Sequence, residues 1–286
     1  MRTIGSMSHR STIAHLLFSL GLNGAAAISF RNRLVNGNFF INQRGASNAP
    51  TVYPPGAFIR DRWKAGPAGC TAACVTAANG DTTMHIGKGT VRQDVEGALY
   101  LLEGGRYCLS WQGDAIGRIV VSDTTPVFES GQVVASDIPA GTNAIVEFSC
   151  RSGGPPVSLR LAQLEPGSTP TVFERRDDEA IRCGRYFRRI AKPPLRGVVC
   201  TVDMAARCGM PLSPTMAVVP KVSLVEHLPV FDGASISMAT TILTDYSTSE
   251  SIELDFALSS ELTVGRPAIF FAGQGGILDV EAEVVF

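Results

Sequence analysis

Six carboxylates, Asp81, Asp94, Glu96, Asp114, Asp123 and Asp137, fall on stretches that read as loops in the first half of this 286-residue chain. Two carboxylates about 5–9.5 Å apart in a groove are the minimum equipment for hydrolysing a glycosidic bond, yet no spacing singles out a pair among the six. The four histidines, His9, His15, His85 and His227, are isolated from one another. Cys70-x3-Cys74 would be half of a zinc site, but no second Cys or His pair follows at ligand spacing, so no metal site is expected. Gly87-Lys88-Gly89 and Gly273-Gln274-Gly275-Gly276 lack the residues and the strand-to-helix context of a phosphate loop and read as plain turns. No nucleophile elbow, zincin helix or calcium-hand loop is present. These residues assemble into no catalytic motif, and the expectation is a protein that is not an enzyme and needs no cofactor.

The elements that must position such residues are strands. Hydrophobic residues make up 45 % of the chain and charged residues 18 %, which fits neither a disordered chain nor a membrane-inserted one. Short apolar runs at 52–53, 100–102, 106–111, 118–121, 145–150 and 157–161 are separated by Gly- and Pro-rich turns, the texture of an antiparallel β-sandwich. Strands resume at 198–202, 218–224, 235–243, 251–258, 268–272 and 278–286. There Ile252, Leu254 and Phe256 alternate with Glu253 and Asp255, which gives each strand one buried face. Between the two blocks, 177–190 reads as a helix. Acidic residues open it, arginines close it, and Ala180, Cys183, Phe187 and Ile190 form an apolar stripe. Pro193-Pro194 then stops it.

Charge divides the same way. Residues 1–196 carry 22 Lys/Arg against 15 Asp/Glu, and residues 197–286 carry 3 against 11, so two units with different surroundings are expected. The overall charge of −1 gives no reason to expect a nucleic-acid partner. Seven cysteines, an odd number scattered along a long chain, point to reduced thiols rather than a disulfide framework. Residues 1–27 imitate a secretion signal, but His15, Ser19 and Gly21 interrupt the apolar stretch. Ile13, Leu16, Leu17 and Leu20 fall at helical spacing behind Ser11 as N-cap, so this segment reads as an amphipathic helix. Such a helix is too short to be stable alone and calls for a docking partner.

Three stretches carry a resemblance. They are residues 33–45 (RLVNGNFFINQRG), Asp61-Arg62-Trp63, and residues 163–176 (QLEPGSTPTVFERR) followed by Cys183-Gly184-Arg185-Tyr186-Phe187. Their order resembles a widespread family of phage structural and tail-fibre proteins over about residues 33–190. Read by themselves the motifs are structural. Asn36-Gly37-Asn38 is a turn that launches a strand and sends Phe39-Phe40-Ile41 into the core. Trp63 is a core anchor, Gln163-Leu164-Glu165 closes the sheet, Phe173 packs the following segment onto the sandwich, and Glu174 pairs with Arg175 or Arg176.

The resemblance implies an all-β chain. A jelly-roll β-sandwich similar to carbohydrate-binding modules (31–176) would lead through a linker helix (177–196) into a smaller antiparallel β domain (197–286), behind a short N-terminal helix (1–30). It further implies a virion fibre or spike assembled in the host cytoplasm as a homo-oligomer, usually a trimer. That assembly would be joined to other virion proteins through its N-terminal segment and would adhere to host surface saccharide, without nucleic acid or membrane insertion. Sugar faces stack on aromatic rings, which makes Tyr53, Tyr100, Tyr107 and Trp111 the candidate binding residues. A structural calcium near the first and last strands would use Asn38 and Glu165. Alternative readings are a purely structural decoration or adaptor protein and a polysaccharide-degrading tailspike.

Overall fold

The computed structural model describes residues 30–78, 80–122, 124–151, 153–201, 205–270, 275–284 and 286. The expected N-terminal helix, Asp123 and Gly273-Gln274 lie outside the described residues. The fold is all-β. It divides into two compact units, one ending at Asp177 and the other formed by 178–285 together with the short excursion 43–45.

The first unit contains β1 (Thr51–Tyr53), β2 (Phe58–Arg60), β3 (Trp63–Thr76), β4 (Thr82–Val95), α1 (Gly97–Tyr100), β5 (Gly105–Gln112), β6 (Ile116–Val121), β7 (Val133–Ile138), β8 (Ala144–Ser149) and β9 (Val157–Pro166). All its ladders are antiparallel. β4 is shared, its first half pairing with β9 and its second half with β8. One layer therefore runs β3-β4-β8-β6, and the other runs β9-β5-β7. Between them lies one core in which Trp111 of β5 meets Phe148 of β8 edge-on at 5.2 Å, and Phe148 in turn faces Trp63 at 6.0 Å.

The division of β4 has a local cause. Thr82, Met84 and Ile86 point inward, then Val91, Gln93 and Val95 do, so the inward parity switches across Gly87-Lys88-Gly89. Gly89 has φ +75°, and a Cβ there would stand 2.1 Å from the Gly69 carbonyl oxygen. The glycine run is a β-bulge that re-aims the strand.

Three expectations for this unit are corrected. Residues 100–102 are not a strand but the end of α1, where Tyr100 N–H donates to Glu96 O and Leu101 N–H to Gly97 O. Gly97 there sits against the 141–142 backbone, 2.2 Å from a built Cβ, which leaves no room for a side chain. The Asn36-Gly37-Asn38 turn launches no strand, because Asn36 and Phe39 both take positive φ. Phe39 turns fully inward while Phe40 is exposed. Finally, Gln163-Leu164-Glu165 does not close the sheet. β9 is interior, with β5 on one side and β4 and then the 33–37 segment on the other.

The second unit contains α2 (Glu179–Gly184), β10 (Phe187–Ala191), β11 (Arg196–Thr201), β12 (Ala205–Pro211), β13 (Lys221–Glu226), β14 (Leu228–Phe231), β15 (Ile236–Asp245), β16 (Ser251–Leu258), β17 (Pro267–Phe270) and β18 (Ile277–Glu281). Six of these close an antiparallel barrel in the order β11-β12-β16-β15-β14-β17, and β10-β18-β13 form a separate three-stranded sheet. The barrel interior takes the alternating Ile252, Leu254 and Phe256 as the pattern requires.

The expected helix over 177–190 shrinks to the six residues of α2, and no separate linker is found, since 178–196 belongs to the second unit. From Phe187 the chain is a strand on β18. Arg189 lies directly across from Asp279 and makes a bidentate pair with it at 2.7 and 2.8 Å. A ladder partner from almost one hundred residues downstream overrides the local helical spacing. Arg188 is likewise engaged within the unit, donating to the carbonyls of Gly184 and Pro214.

Candidate functional site

The three resembling stretches converge, and what they build is a polar knot. Asn36 has φ +58° and is fully buried. Its Nδ2 donates to the Ile41 and Asp61 carbonyls at 2.9 and 3.0 Å, its Oδ1 accepts from Ile41 N–H at 2.9 Å, and its own carbonyl accepts from Trp63 Nε1 at 2.8 Å. Gly37 lies against β9, where Ala162 N–H donates to its carbonyl at 2.8 Å. A Cβ on Gly37 would stand 2.2 Å from Ala162 O, so only glycine fits. Arg33 N–H donates to Leu164 O at 2.7 Å. The first motif thereby extends the sheet beyond the end of the β4 ladder.

The closing motif is tied down just as fully. Glu165 accepts from Thr171 N–H at 2.7 Å, Gln163 Nε2 at 2.8 Å and Thr171 Oγ1 at 2.7 Å. Its buried carboxylate thus holds the 166–171 turn and is not presented to a calcium ion, while Asn38 Oδ1 faces Phe40 N–H at 3.4 Å. Among the described residues no group of three or more His, Cys, Asp or Glu side chains gathers as a metal cluster would. Glu174 pairs with neither neighbouring arginine. It accepts from Asn32 N–H at 2.8 Å, whereas Arg175 meets Asp81 at 2.7 Å and Arg176 lies over the Phe30 ring.

The aromatic candidates are corrected too. Tyr53, Tyr107 and Trp111 occupy inward positions of β1 and β5 and are core residues, and Tyr100 is half-buried against them. Their polar tips are spent internally, Trp111 Nε1 on Ala115 O at 2.9 Å and Tyr107 Oη on Glu103 at 3.1 Å. Burial, and then the Glu103 charge, push the Tyr107 hydroxyl up to about 12. A ring with both faces packed in a core offers no platform to a sugar.

An open groove lies on the outer face of the β9-β5-β7 layer, back to back with those rings. Its volume is about 480 Å³. Ser110, Gln112 and Val133 form the floor, and residues 170–173 form one wall with Arg175 at its end. Gly131-Gln132 make the opposite rim. The register explains the shape. Ser110 pairs with Gln163 but Gln112 pairs with Arg160, so β9 carries an extra residue at Leu161, a bulge with φ +51°. Gln132 is the other strained residue, at φ +68°. Its carbonyl accepts from Trp111 N–H at 3.2 Å and its Nε2 donates to Gly113 O at 2.8 Å. Bulges and left-handed side-chain-bearing residues concentrate at functional sites, and here two line one groove.

Of the groove residues, three stand out in the sequence: Phe173 and Arg175 as structural motif positions, and Trp111 as an aromatic candidate, which contributes to the lining between Ser110 and Gln112 although its side chain is buried in the core. Ser110 and Gln112 carry a faint signal, since the outward positions of β5 flanking the inward Trp111 are both polar.

Among the described residues, four of the carboxylates weighed for hydrolysis have partners of their own, Asp81 holding Arg175 at 2.7 Å. Asp94 is buried against Lys64 and Arg92, Asp114 accepts from Ser158 at 3.1 Å, and Asp137 pairs with Arg106 at 3.1 Å. A second, smaller groove, about 360 Å³, is bordered by Val52, Pro54, Pro55 and Cys70. Burial pushes the Cys70 thiol up to about 12, which leaves it a poor nucleophile.

No protein-family model matches this chain, and no curated protein matches it. Among solved structures it is similar to the cycloisomaltooligosaccharide glucanotransferase of Paenibacillus sp. complexed with cycloisomaltoheptaose. The two share 7 % identity at a TM-score of 0.27, over 84 % of this chain and 46 % of that one. The chain thus spans less than half the length of that neighbour, and at this TM-score the likeness carries no argument about activity.

Proposed function

We propose that this chain is a non-enzymatic virion fibre or spike subunit whose first unit holds host surface saccharide in the groove over Ser110 and Gln112. The observation that carries the reading is the make-up of that groove. A sugar offers hydroxyls around its rim and a C–H face. The amides of Gln112 and Gln132 and the hydroxyl of Ser110 answer the hydroxyls, while Phe173 and Val133 answer the face. No Asp or Glu lines the groove, so the geometry supports holding rather than cleaving.

The resemblance of residues 33–45, 61–63 and 163–187 to phage fibre proteins supports a seat on a virus particle. On this reading residues 1–27 join the subunit to other virion proteins and the assembly is a homotrimer. An open groove of this kind binds weakly, around the millimolar level or roughly −4 kcal/mol per site, and several tethered copies raise avidity by about 10²–10⁴.

The test is a glycan array probed with the assembled full chain, beside chromatography of host envelope polysaccharide after incubation and light scattering of the free protein. Array binding, intact polysaccharide and a mass near three times 30.3 kDa are expected. Progressive shortening of the polysaccharide would make the protein an enzyme. Silence on array and host cells alike would leave a purely structural particle protein.

A further inference from the structure

Arg175 is the one charged side chain among the residues lining the groove, and no carboxylate lines it. Arg160 is exposed and stands directly across from Gln112 in the β5–β9 ladder. Facing cross-strand residues in an antiparallel pair project to the same side with their Cβ atoms about 5 Å apart, which roots the Arg160 side chain beside Gln112 of the groove floor and within reach of it. Arg175, in the wall, is also exposed and spends one N–H on Asp81 at 2.7 Å, leaving donors on a group that has five. Four carboxylates of this unit already accept hydrogen bonds. Asp81 holds Arg175, Asp114 accepts from Ser158, Glu165 is capped beneath the wall by Gln163 and Thr171, and Glu174 accepts from Asn32.

We infer that the groove selects an acidic saccharide, one whose sugar carboxylate is read by Arg160 and Arg175 while its hydroxyls meet Gln112 and Gln132. This inference rests on the groove being the saccharide site. A guanidinium presents a planar fork that matches a carboxylate in a way an amide does not. The Gln112 amide beside Arg160 makes no hydrogen bond of its own within the described residues and is available to the neighbouring hydroxyl. Neutral glycans would satisfy the amides and leave both cations solvated, so they bind without the added contribution of charge.

The experiment is calorimetric titration of the full chain with oligogalacturonate, oligomannuronate and oligosialate, each beside its methyl ester. The ester keeps the skeleton and removes the charge. A sugar phosphate serves as a further arm to separate carboxylate from general anion recognition. At least one acid is expected to bind about tenfold more tightly than its ester at roughly 20 mM salt, and the advantage to shrink severalfold near 0.5 M, where the screening length falls below about 5 Å. Arg160→Gln and Arg175→Gln should each weaken the acid by roughly two- to fivefold, the range of an exposed charge pair. Each variant should weaken the acid more than its ester, so that the acid-over-ester ratio falls.

Equal binding of acid and ester at low salt, indifference of the acid to Arg160→Gln, or an array whose positives are all neutral would overturn the acidic preference and leave the saccharide site standing. Tighter binding of the sugar phosphate than of any carboxylate would overturn the carboxylate assignment. If no glycan of either kind binds, the site itself falls.

Discussion

Replacing Asn36 tests whether the polar knot holds the sandwich together. In Asn36→Ala the Asp61 carbonyl loses its side-chain donor in a buried position and the half-buried Ile41 N–H loses its acceptor, while the Ile41 carbonyl loses one of two donors and keeps the Asp61 N–H at 3.3 Å. A buried polar group left unsatisfied costs about 1–3 kcal/mol, less where water can enter. The two groups left open and the weakened carbonyl come to roughly 3–4 kcal/mol. Alanine must also hold φ +58°, which adds about 1 kcal/mol that asparagine and glycine largely escape. Asn36→Ala should therefore lose about 4–5 kcal/mol and Asn36→Gly about 1 kcal/mol less, a large share of the roughly 5–15 kcal/mol that stabilises a typical domain. Both tryptophans of the chain, Trp63 and Trp111, lie in the first unit, so tryptophan emission during urea unfolding reports that unit alone. With a slope of about 2 kcal/mol per molar urea, the midpoint should fall by about 2 M for alanine and about 1.5 M for glycine. A fall under 0.5 M would refute the knot as a stabilising device, and a glycine variant no better than alanine would refute the backbone part of the reasoning.

In the second unit, Arg44 lies over the Phe187 ring at 3.9 Å and reaches Glu281 at 3.2 Å and Glu283 at 3.0 Å. Arg44→Ala should cost about 1–2 kcal/mol and lower the calorimetric transition of that unit while the tryptophan-detected transition stays in place. Asp232 takes N–H bonds from Ala234, Ser235 and Thr263 at 2.8–3.0 Å, which hold its carboxyl well below the ordinary value of 3.8. With the folded value depressed, its stabilisation is complete above the ordinary range and is lost as pH falls through the folded value. Asp232→Asn should lower the melting temperature at pH 6 and flatten its decline between pH 4 and 2 (roughly the window this linkage sets), as followed by circular dichroism. Five of the seven cysteines are buried and only Cys150 and Cys200 are half-buried. Burial pushes the Cys74 and Cys108 thiols up to about 11, so a thiol reagent at mild alkaline pH should label Cys150 and Cys200 quickly and the others only on unfolding, as counted by mass spectrometry.

The alternation of Ile252, Leu254 and Phe256 and the inward Trp63 were legible because each depends on a single period or a single large side chain. β3 and β4 were not. Their inward parity changes at glycine bulges, so no window of either strand holds one period over its length, and Gly87-Lys88-Gly89 looks like a turn between strands when it is a kink within one. β10 escaped for a different reason. Steps of three and four from Ala180 to Ile190 fit a helix, and only the presence of Asp279 opposite Arg189 shows why the chain extends instead. The motifs pointed to structure but not to each other, because side-chain bonds from Asn36 to the Asp61 carbonyl and from Asn32 to Glu174 span 25 and 142 residues. The aromatic candidates failed for want of parity. Tyr107 and Trp111 share the inward face of β5, and the groove-facing side belongs to the inconspicuous Ser110 and Gln112.

The central claim is that this groove holds a sugar, and locating a bound ligand tests it most directly. A crystal of the full chain soaked with an array-positive oligosaccharide should show it lying over Ser110 and Gln112, walled by Phe173, with its carboxylate toward Arg160 and the surrounding backbone unmoved. Density for the same saccharide elsewhere on the protein, with the groove holding only water, would contradict the account.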